Sequence, residues 1–228
     1  MVRPRMRRLA LFARPPVPGR VKTRLSPALP EALVAELYQA MLGDTFSAAA
    51  DAPADERVLY WASDEGGAPD LQAPAGFVVR QQRGADLGAR LAAAFTELLA
   101  APEDRAVIIG ADCPDLDPAA IRDSISALES HDLVLGPARD GGYYLIGLRV
   151  RAPSLFEGVA WGTARVRGVT LARAADAGLR VAELPELADL DTPEDLVSLI
   201  ARRSLSGAGP GRRVDAALRA MGLLPPPA

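Results

Sequence analysis

Short apolar runs alternate with longer amphipathic stretches along most of the chain. The apolar runs predict strands over 8–13, 58–61, 77–79, 106–109, 133–135, 143–148 and 180–184. The amphipathic stretches predict helices over 30–50, 86–99, 118–128, 163–177 and 193–203. This alternation is typical of βα units, so we expect an α/β fold around a mostly parallel sheet. An Asp-Gly-Gly turn between the strands at 133–135 and 143–148 predicts one antiparallel element.

The chain of 228 residues is long enough for one domain. We assign residues 1–203 to a catalytic domain that ends with the helix over 193–203, and we expect Thr192 to be the N-cap of that helix. A Gly/Ser-rich stretch over 204–211 predicts a linker, and a short helix over 214–224 precedes a proline-rich tail. Residues 204–228 are therefore expected to form a loosely docked appendage.

Charge and composition narrow the classes of function. A net charge of −3 offers no basic field for nucleic acid or an anionic membrane. No apolar run approaches the ~18 residues that a membrane span requires. The single cysteine, Cys113, excludes an internal disulfide and a cysteine zinc cluster, so we expect a cytoplasmic protein. His131 is the only histidine and has no partner pattern, which disfavours histidine-based catalysis.

The loop after the first strand is rich in prolines and cations, which suits it to binding polyanions. It includes Lys22, the only lysine in the chain. In an extended segment Arg20, Lys22 and Arg24 would point the same way, so we expect them to bind phosphate. The glycine of a Walker loop is missing before Lys22, and a solvated basic loop is the alternative. The candidate phosphate-binding residues are Arg14, Pro18, Gly19, Arg20, Lys22 and Arg24.

Carboxylates follow the apolar run at 106–109, which is typical of a central buried strand. Asp112 at the carboxyl end of that strand would face the ligand crevice, where it could hold a hard cation such as Mg²⁺ or Mn²⁺. Asp189 and Asp191 alternate in an extended segment and could share the ion, although Asp191 could instead cap a helix. Asp115 and Asp117 are interpreted as helix caps.

Two further stretches are candidates for the nucleobase and the acceptor. The glycines of the first, Gln82 to Arg90, could allow the backbone to approach a flat ligand, and its candidates are Gln82, Gly84, Asp86 and Gly88. The second could line the acceptor side through Asp140, Gly141, Gly142 and Tyr143, although a hairpin turn alone explains its composition.

These motifs together resemble one family. They are Phe12 to Leu25, Gly110 to Pro114, Asp140 to Tyr144, Trp161-Gly162-Thr163 and Asp189 to Asp195. In this order they resemble the DUF2064 family, commonly labelled glycosyltransferases of GT-A fold, over roughly residues 7 to 203. The chain is similar, more distantly, to phospholactate guanylyltransferases and molybdenum-cofactor nucleotidyltransferases.

The resemblance implies a GT-A-like three-layer αβα sandwich. It also implies that Asp112, Asp189 and Asp191 hold Mg²⁺, that Gly84 to Gly88 lie near the nucleobase, and that Trp161 and Thr163 belong to the acceptor side. Ala85 departs from the glycine common in those relatives, which leaves the base contacts open.

Three functions remain. We favour nucleotidyl transfer from an NTP to a small phosphorylated or carboxylate acceptor, with pyrophosphate as the product. The candidate metal-binding carboxylates are split between distant segments of the chain, and the cationic loop suits a departing pyrophosphate. The alternative is a glycosyltransferase that uses a nucleotide sugar, and the third is an inactive nucleotide-binding regulator. The expected partners are a nucleotide and a small acceptor, with a homodimer left open.

Overall fold

A seven-stranded mixed sheet forms the centre of the protein. The computed structural model describes residues 4–62, 74–206 and 210–226. The strands are Arg7–Ala13 (β1), Glu56–Trp61 (β2), Phe77–Gln81 (β3), Arg105–Ile109 (β4), Leu133–Pro137 (β5), Tyr143–Leu148 (β6) and Val181–Glu183 (β7). All seven predicted strands are confirmed, each within two residues at either end.

The sheet order is β3-β2-β1-β4-β6-β5-β7. β6 runs antiparallel to both β4 and β5, and the other neighbours are parallel. The predicted antiparallel element is therefore β6. Because β6 is reversed, its first residues, Tyr143 and Tyr144, lie at the edge of the sheet where β1 and β4 end, with Leu145 opposite Ile109.

In the described part of the chain, six α-helices surround the sheet. They are Glu31–Ala50 (α1), Leu87–Leu98 (α2), Pro118–Ala127 (α3), Val166–Asp176 (α4), Pro193–Ser206 (α5) and Arg212–Ala220 (α6). Side chains of a strand alternate between faces, so Leu9 and Leu11 pack into the core with α1, α3, α5 and α6, while Ala10 packs into the core with α2 and α4. The predicted three-layer α/β architecture is confirmed. No helix in the described residues is long and apolar enough to cross a membrane.

Three helices differ from the predictions by three residues or more, and α6 is one of them, since it spans Arg212–Ala220 and not 214–224. α4 begins at Val166, because residues 163–165 form a turn before it. α5 continues to Ser206, so the first part of the predicted linker is helical, while residues 207–209 lie outside the described residues.

The terminal helix α6 is part of the main core, so the prediction of a loosely docked appendage is wrong. Val214 and Leu218 are fully buried and belong to the core cluster that includes α1. The carboxylate of Asp44, on α1, accepts hydrogen bonds from the backbone N–H groups of Arg213 (3.0 Å) and Val214 (2.9 Å). The helix therefore contributes an apolar stripe and receives a cap from another element, which its Gly- and Pro-rich flanks do not indicate.

We expect Leu218→Ala to lower the free energy of unfolding by about 2–5 kcal/mol, because it leaves a cavity in a fully buried site. Leu205→Ala is the matched control, since Leu205 on α5 is 89% exposed and should change stability by less than about 0.5 kcal/mol. Denaturant unfolding measures both variants. Equal, small effects would mean that α6 is not packed in solution.

Candidate functional site

A cavity of about 600 Å³ opens at the edge of the sheet where β1 and β4 end. Its inner wall is apolar and includes Phe12, Leu91, Ile108 and Ile146. Cations and carboxylates line its polar side. Seven of the predicted site residues line this cavity: Arg14, Lys22, Gln82, Asp86, Asp112, Tyr143 and Asp191.

Asp112 and Asp191 meet at this cavity although they are far apart in the chain. Lys22 Nζ lies 2.5 Å from Asp112 Oδ1 and 3.5 Å from Asp191 Oδ1. The two carboxylate oxygens are therefore no more than about 6 Å apart, the sum of those distances. The backbone N–H of Leu190 donates to the carbonyl of Asp112 at 2.9 Å and ties the two segments together. This arrangement agrees with the expectation that both carboxylates face one site.

Lys22 is turned inward by a local change of backbone direction. Its φ of 48° makes it the one non-glycine residue with positive φ in the described part of the chain. Its side chain is only 6% exposed. Burial lowers the pKa of Lys22, but the carboxylates of Asp112 and Asp191 raise it by more, so the pKa lies above its usual value. The side chain is therefore a buried ammonium ion between two carboxylates.

The cationic loop is not extended, so the predicted alignment of Arg20, Lys22 and Arg24 on one side is wrong. Gly19 has a φ of 71°, Lys22 is left-handed, and residues 23–25 form a short 3-10 helix. Arg24 stays 70% exposed and donates to Asp191 Oδ2 at 3.0 Å. Arg20, Pro18 and Gly19 are exposed outside the cavity lining. Only Lys22 is buried against Asp112.

The helix cap beside Asp191 is supplied by other residues. Asp195 Oδ2 accepts from the backbone N–H groups of Asp191 (3.0 Å) and Thr192 (2.8 Å), and the Thr192 hydroxyl accepts from the Asp195 N–H at 3.3 Å. This reciprocal pair is a capping box. The carboxylate of Asp191 is consequently left to Lys22 and Arg24, which removes the alternative that it caps α5.

Asp189 lies in the same electrostatic environment. Burial raises the pKa of its carboxyl, the neighbouring carboxylates of Asp140 and Asp195 raise it further, and Lys22 opposes the shift. Asp117 caps α3 by accepting from the N–H of Ala120 at 2.8 Å, as predicted. Asp115 does not cap that helix but pairs with arginines of α5.

Within the described residues, no group of three or more His, Cys, Asp or Glu side chains is arranged to hold a metal ion. The donors nevertheless fit Mg²⁺ or Mn²⁺, because Asp112 and Asp191 are hard oxygen ligands that already share one cation, the Lys22 ammonium. Mg²⁺ is commonly bound by one or two carboxylates together with substrate phosphates, so a complete protein cage is not required.

The candidate nucleobase residues have structural tasks as well. Gln82 Nε2 donates to the carbonyl oxygens of Tyr60 (3.0 Å) and Ala13 (3.4 Å), and Asp86 is the N-cap of α2, accepting from Ala89 N at 2.8 Å.

Gly84 and Gly88 pack closely against protein and do not line the cavity. A Cβ on Gly84 would lie 2.6 Å from Arg90 N, and one on Gly88 would collide with the carbonyl of Phe156. Glycine is therefore required at both positions by close packing within the protein. The geometry does not support the prediction that these glycines allow the backbone to approach a flat ligand.

On the predicted acceptor side, only Tyr143 lines the cavity. Asp140 accepts from the N–H of Gly142 at 2.8 Å, and a Cβ on Gly141 would collide with Ala164, so this segment is built as a tight turn. Trp161 packs edge-on against Tyr143 with ring centroids 6.3 Å apart.

The Thr163 hydroxyl donates to the carbonyl of Ala160 at 2.8 Å. Trp161 thus supports the cavity wall through Tyr143, whereas the Thr163 hydroxyl stabilises a local turn.

Tyr38 is a cavity residue that the sequence analysis missed. It is buried on α1, and its hydroxyl accepts from the backbone N–H of Arg14 at 3.0 Å. Burial and the charge of Asp112 both raise the pKa of Tyr38. Its position in the apolar stripe of α1 is typical of a core residue, so no sequence signal distinguished it.

The family described as "Uncharacterized protein conserved in bacteria (DUF2064)" matches residues 45–163. The 3-phospho-D-glycerate guanylyltransferase of Phenylobacterium zucineum strain HLK1 is 36% identical to this chain over 186 residues, which are 78% of this chain and 83% of that protein. These likenesses agree with the expectation of a transferase.

Solved structures give the same result for the fold. A protein from Desulfovibrio desulfuricans G20, described as a nucleotide-diphospho-sugar transferase, superposes with a TM-score of 0.85 at 32% identity and covers 95% of this chain and 96% of its own. A Mycobacterium tuberculosis H37Rv protein in complex with manganese has a TM-score of 0.50 at 20% identity, with 86% and 97% covered, and shows the fold alone. The chain therefore belongs to the DUF2064 family and has the nucleotide-diphospho-sugar transferase fold, as its motifs predicted.

Proposed function

We propose that the protein is a metal-dependent nucleotidyltransferase that joins the nucleoside monophosphate part of GTP to a small phosphorylated or carboxylate acceptor and releases pyrophosphate. The observation that carries the proposal is the buried Lys22 ammonium between Asp112 and Asp191 at the mouth of the cavity. Guanine and an acceptor such as 3-phospho-D-glycerate are suggested by the name of the relative from Phenylobacterium zucineum. The lone Cys113 supports a cytoplasmic location.

In the proposed reaction, an oxygen of the anionic acceptor attacks the α-phosphorus of the nucleotide. The bond from that phosphorus to the oxygen bridging toward the β-phosphorus breaks, and pyrophosphate takes the electron pair. An anionic acceptor needs no general base, which suits a cavity without histidine, since His131 interacts with Ser130 and the carbonyl of Ala127 instead. A divalent ion on Asp112 and Asp191, with Asp189 nearby, would neutralise the phosphates.

Lys22 would serve the leaving group. Negative charge grows on the pyrophosphate as the bond breaks, and an ammonium at a low-dielectric position stabilises that charge. Arg24 and Arg20 lie on the exposed side of the same loop and would attract the triphosphate on its way in. The presence of Asp112, Asp191 and Lys22 in one cluster argues against an inactive regulator.

Glycosyl transfer remains the second candidate because the Desulfovibrio desulfuricans relative is described as a nucleotide-diphospho-sugar transferase. The two reactions release different products. We expect GTP, Mg²⁺ and 3-phospho-D-glycerate to give pyrophosphate and a guanylylated acceptor, detected by a coupled phosphatase assay and mass spectrometry. Other NTPs should be poorer donors. Release of nucleoside diphosphate from a nucleotide sugar, without pyrophosphate from any NTP, would contradict the proposal.

We expect Asp112→Asn to lower turnover at least a hundredfold, about 2.7 kcal/mol of transition-state stabilisation. The melting temperature should change by only a few degrees, because the Asp112 side chain is 59% exposed. Pyrophosphate release and thermal unfolding give the two numbers. The control is Asp123→Asn, an exposed carboxylate on α3 that should retain full turnover. Normal turnover of Asp112→Asn with Mg²⁺ would exclude the proposed role of this carboxylate.

Lys22→Met should have two opposite effects. Without the ammonium, Mn²⁺ should bind about tenfold more tightly in the absence of nucleotide, because a competing cation has gone. At the same time kcat should fall by one to three orders of magnitude, about 1.4 to 4 kcal/mol. Electron paramagnetic resonance titration and pyrophosphate release measure the two effects.

The matched control for Lys22→Met is Arg24→Met. Arg24 also pairs with Asp191 and carries the same charge as Lys22, but its side chain is 70% exposed. Solvent screening should make its effect on Mn²⁺ affinity clearly smaller. Full turnover of Lys22→Met, or an unchanged affinity for Mn²⁺, would mean that Lys22 neither serves the leaving group nor shares the carboxylates with the metal.

A further inference from the structure

A buried chain of charges connects the C-terminal helix to the loop that carries Asp112. Asp115, three residues after Asp112, has Oδ1 2.6 Å from Arg203 Nη2. Arg203 Nε in turn lies 2.9 Å from Oδ1 of Asp215 on α6. The side chains of Arg203 and Asp215 are 7% and 1% exposed. A residue of α5 thus pairs with the second half of the Asp112 loop, and a residue of α6 pairs with that arginine in turn.

A backbone contact supports the same connection. Gly211, the N-cap of α6, sits so close to the loop that a Cβ on it would lie 2.7 Å from the carbonyl oxygen of Pro114. Asp44 fixes the first turn of α6 through two backbone N–H groups. The start of α6 is therefore in close contact with the loop between Asp112 and Asp115.

The helix α5 links both carboxylate segments of the site. Its first residue, Pro193, follows Asp191 and Thr192, while Arg203 near its other end holds Asp115. The distance between Asp112 and Asp191 consequently depends on where α5 packs in the core. The ion pair between Arg203 and Asp215 joins α5 to α6.

Stability alone is a poor reason for such a chain of charges. The desolvation of a buried ion pair commonly cancels its Coulomb attraction, and apolar residues of similar volume stabilise a protein equally well or better. Neither carboxylate oxygen of Asp215 accepts a hydrogen bond of good geometry from the residues that the structure describes. The pair instead restrains position, because moving either charge away from its partner would leave a buried charge without compensation.

We propose that Arg203 and Asp215 are positioning residues that hold the Asp112 loop in its metal-binding geometry, which makes α6 a part of the active-site framework. The effect on metal and turnover rests on the proposed function, whereas the effect on the loop does not. Cys113, the single cysteine of the chain, is buried in this loop next to Asp112 and can report on the loop directly.

The test is the double variant Arg203→Met/Asp215→Leu of the full chain, which replaces the pair by apolar side chains. We expect the melting temperature to stay the same or rise. The rate of Cys113 modification by a thiol reagent should increase about tenfold, because the loop is released. Mn²⁺ affinity without nucleotide and kcat should each fall about tenfold, with the KM for GTP within twofold of the wild-type value.

The matched control is Arg202→Met. Arg202 also pairs with Asp115, at 3.1 Å, but its side chain is 35% exposed. The Cys113 modification rate, the Mn²⁺ affinity, kcat and the KM for GTP should each stay within twofold of the wild-type value. An unchanged rate of Cys113 modification in the double variant would overturn the proposal. Equal effects in Arg202→Met would also overturn it, because they would show that only the charge balance around Asp115 matters. If Cys113 reactivity rises but wild type binds no Mn²⁺ even with GTP present, the loop is positioned as proposed and the metal-dependent function fails.

Discussion

The site depends on a cation that neutralises two carboxylates, which the fold brings together at one edge of the sheet. Asp112 and Asp191 have oxygens no more than about 6 Å apart, the sum of their distances to Lys22 Nζ. Two like charges at that distance in a partly buried site repel each other unless a cation lies between them. Lys22 supplies it, at the cost of a left-handed backbone conformation that is unfavourable by about 1–2 kcal/mol for a residue with a Cβ. The strained residue is thus held by the charges that it neutralises.

The same two carboxylates would form an incomplete cage for the divalent ion of the proposed reaction. An ion with only two carboxylate ligands gains the rest of its coordination from substrate phosphates. In the proposed reaction the cluster would therefore suit a metal that is bound together with the nucleotide, whereas in the structure Lys22 lies between Asp112 and Asp191. In the proposed reaction Asp112 and Asp191 would hold the divalent ion, and the Lys22 ammonium would pair with the polyphosphate.

The periodicity of apolar residues predicted the fold well because each strand is marked by a short apolar run in its own local sequence. The run at 106–109 and the turn at Asp140 each determine one element with little help from distant residues. The position of Asp112 followed from the rule that ligands bind where parallel strands end. The direction of Lys22 did not follow, because a lysine with positive φ has no local signal. Burial of α6 was missed because its cap, Asp44, comes from a helix more than 150 residues earlier.

Glycines were the least reliable guide to the ligand. Gly84 and Gly88 suggested an approach of the backbone to a flat base, yet the space beside each is filled by Arg90 or Phe156. At both positions the neighbour that requires glycine is the protein itself. The residues that do face the cavity near this segment, Gln82 and Asp86, already have backbone partners. In the proposed reaction each would offer a base only its remaining carbonyl or carboxylate oxygen, which would favour a base edge rich in N–H donors, as guanine has.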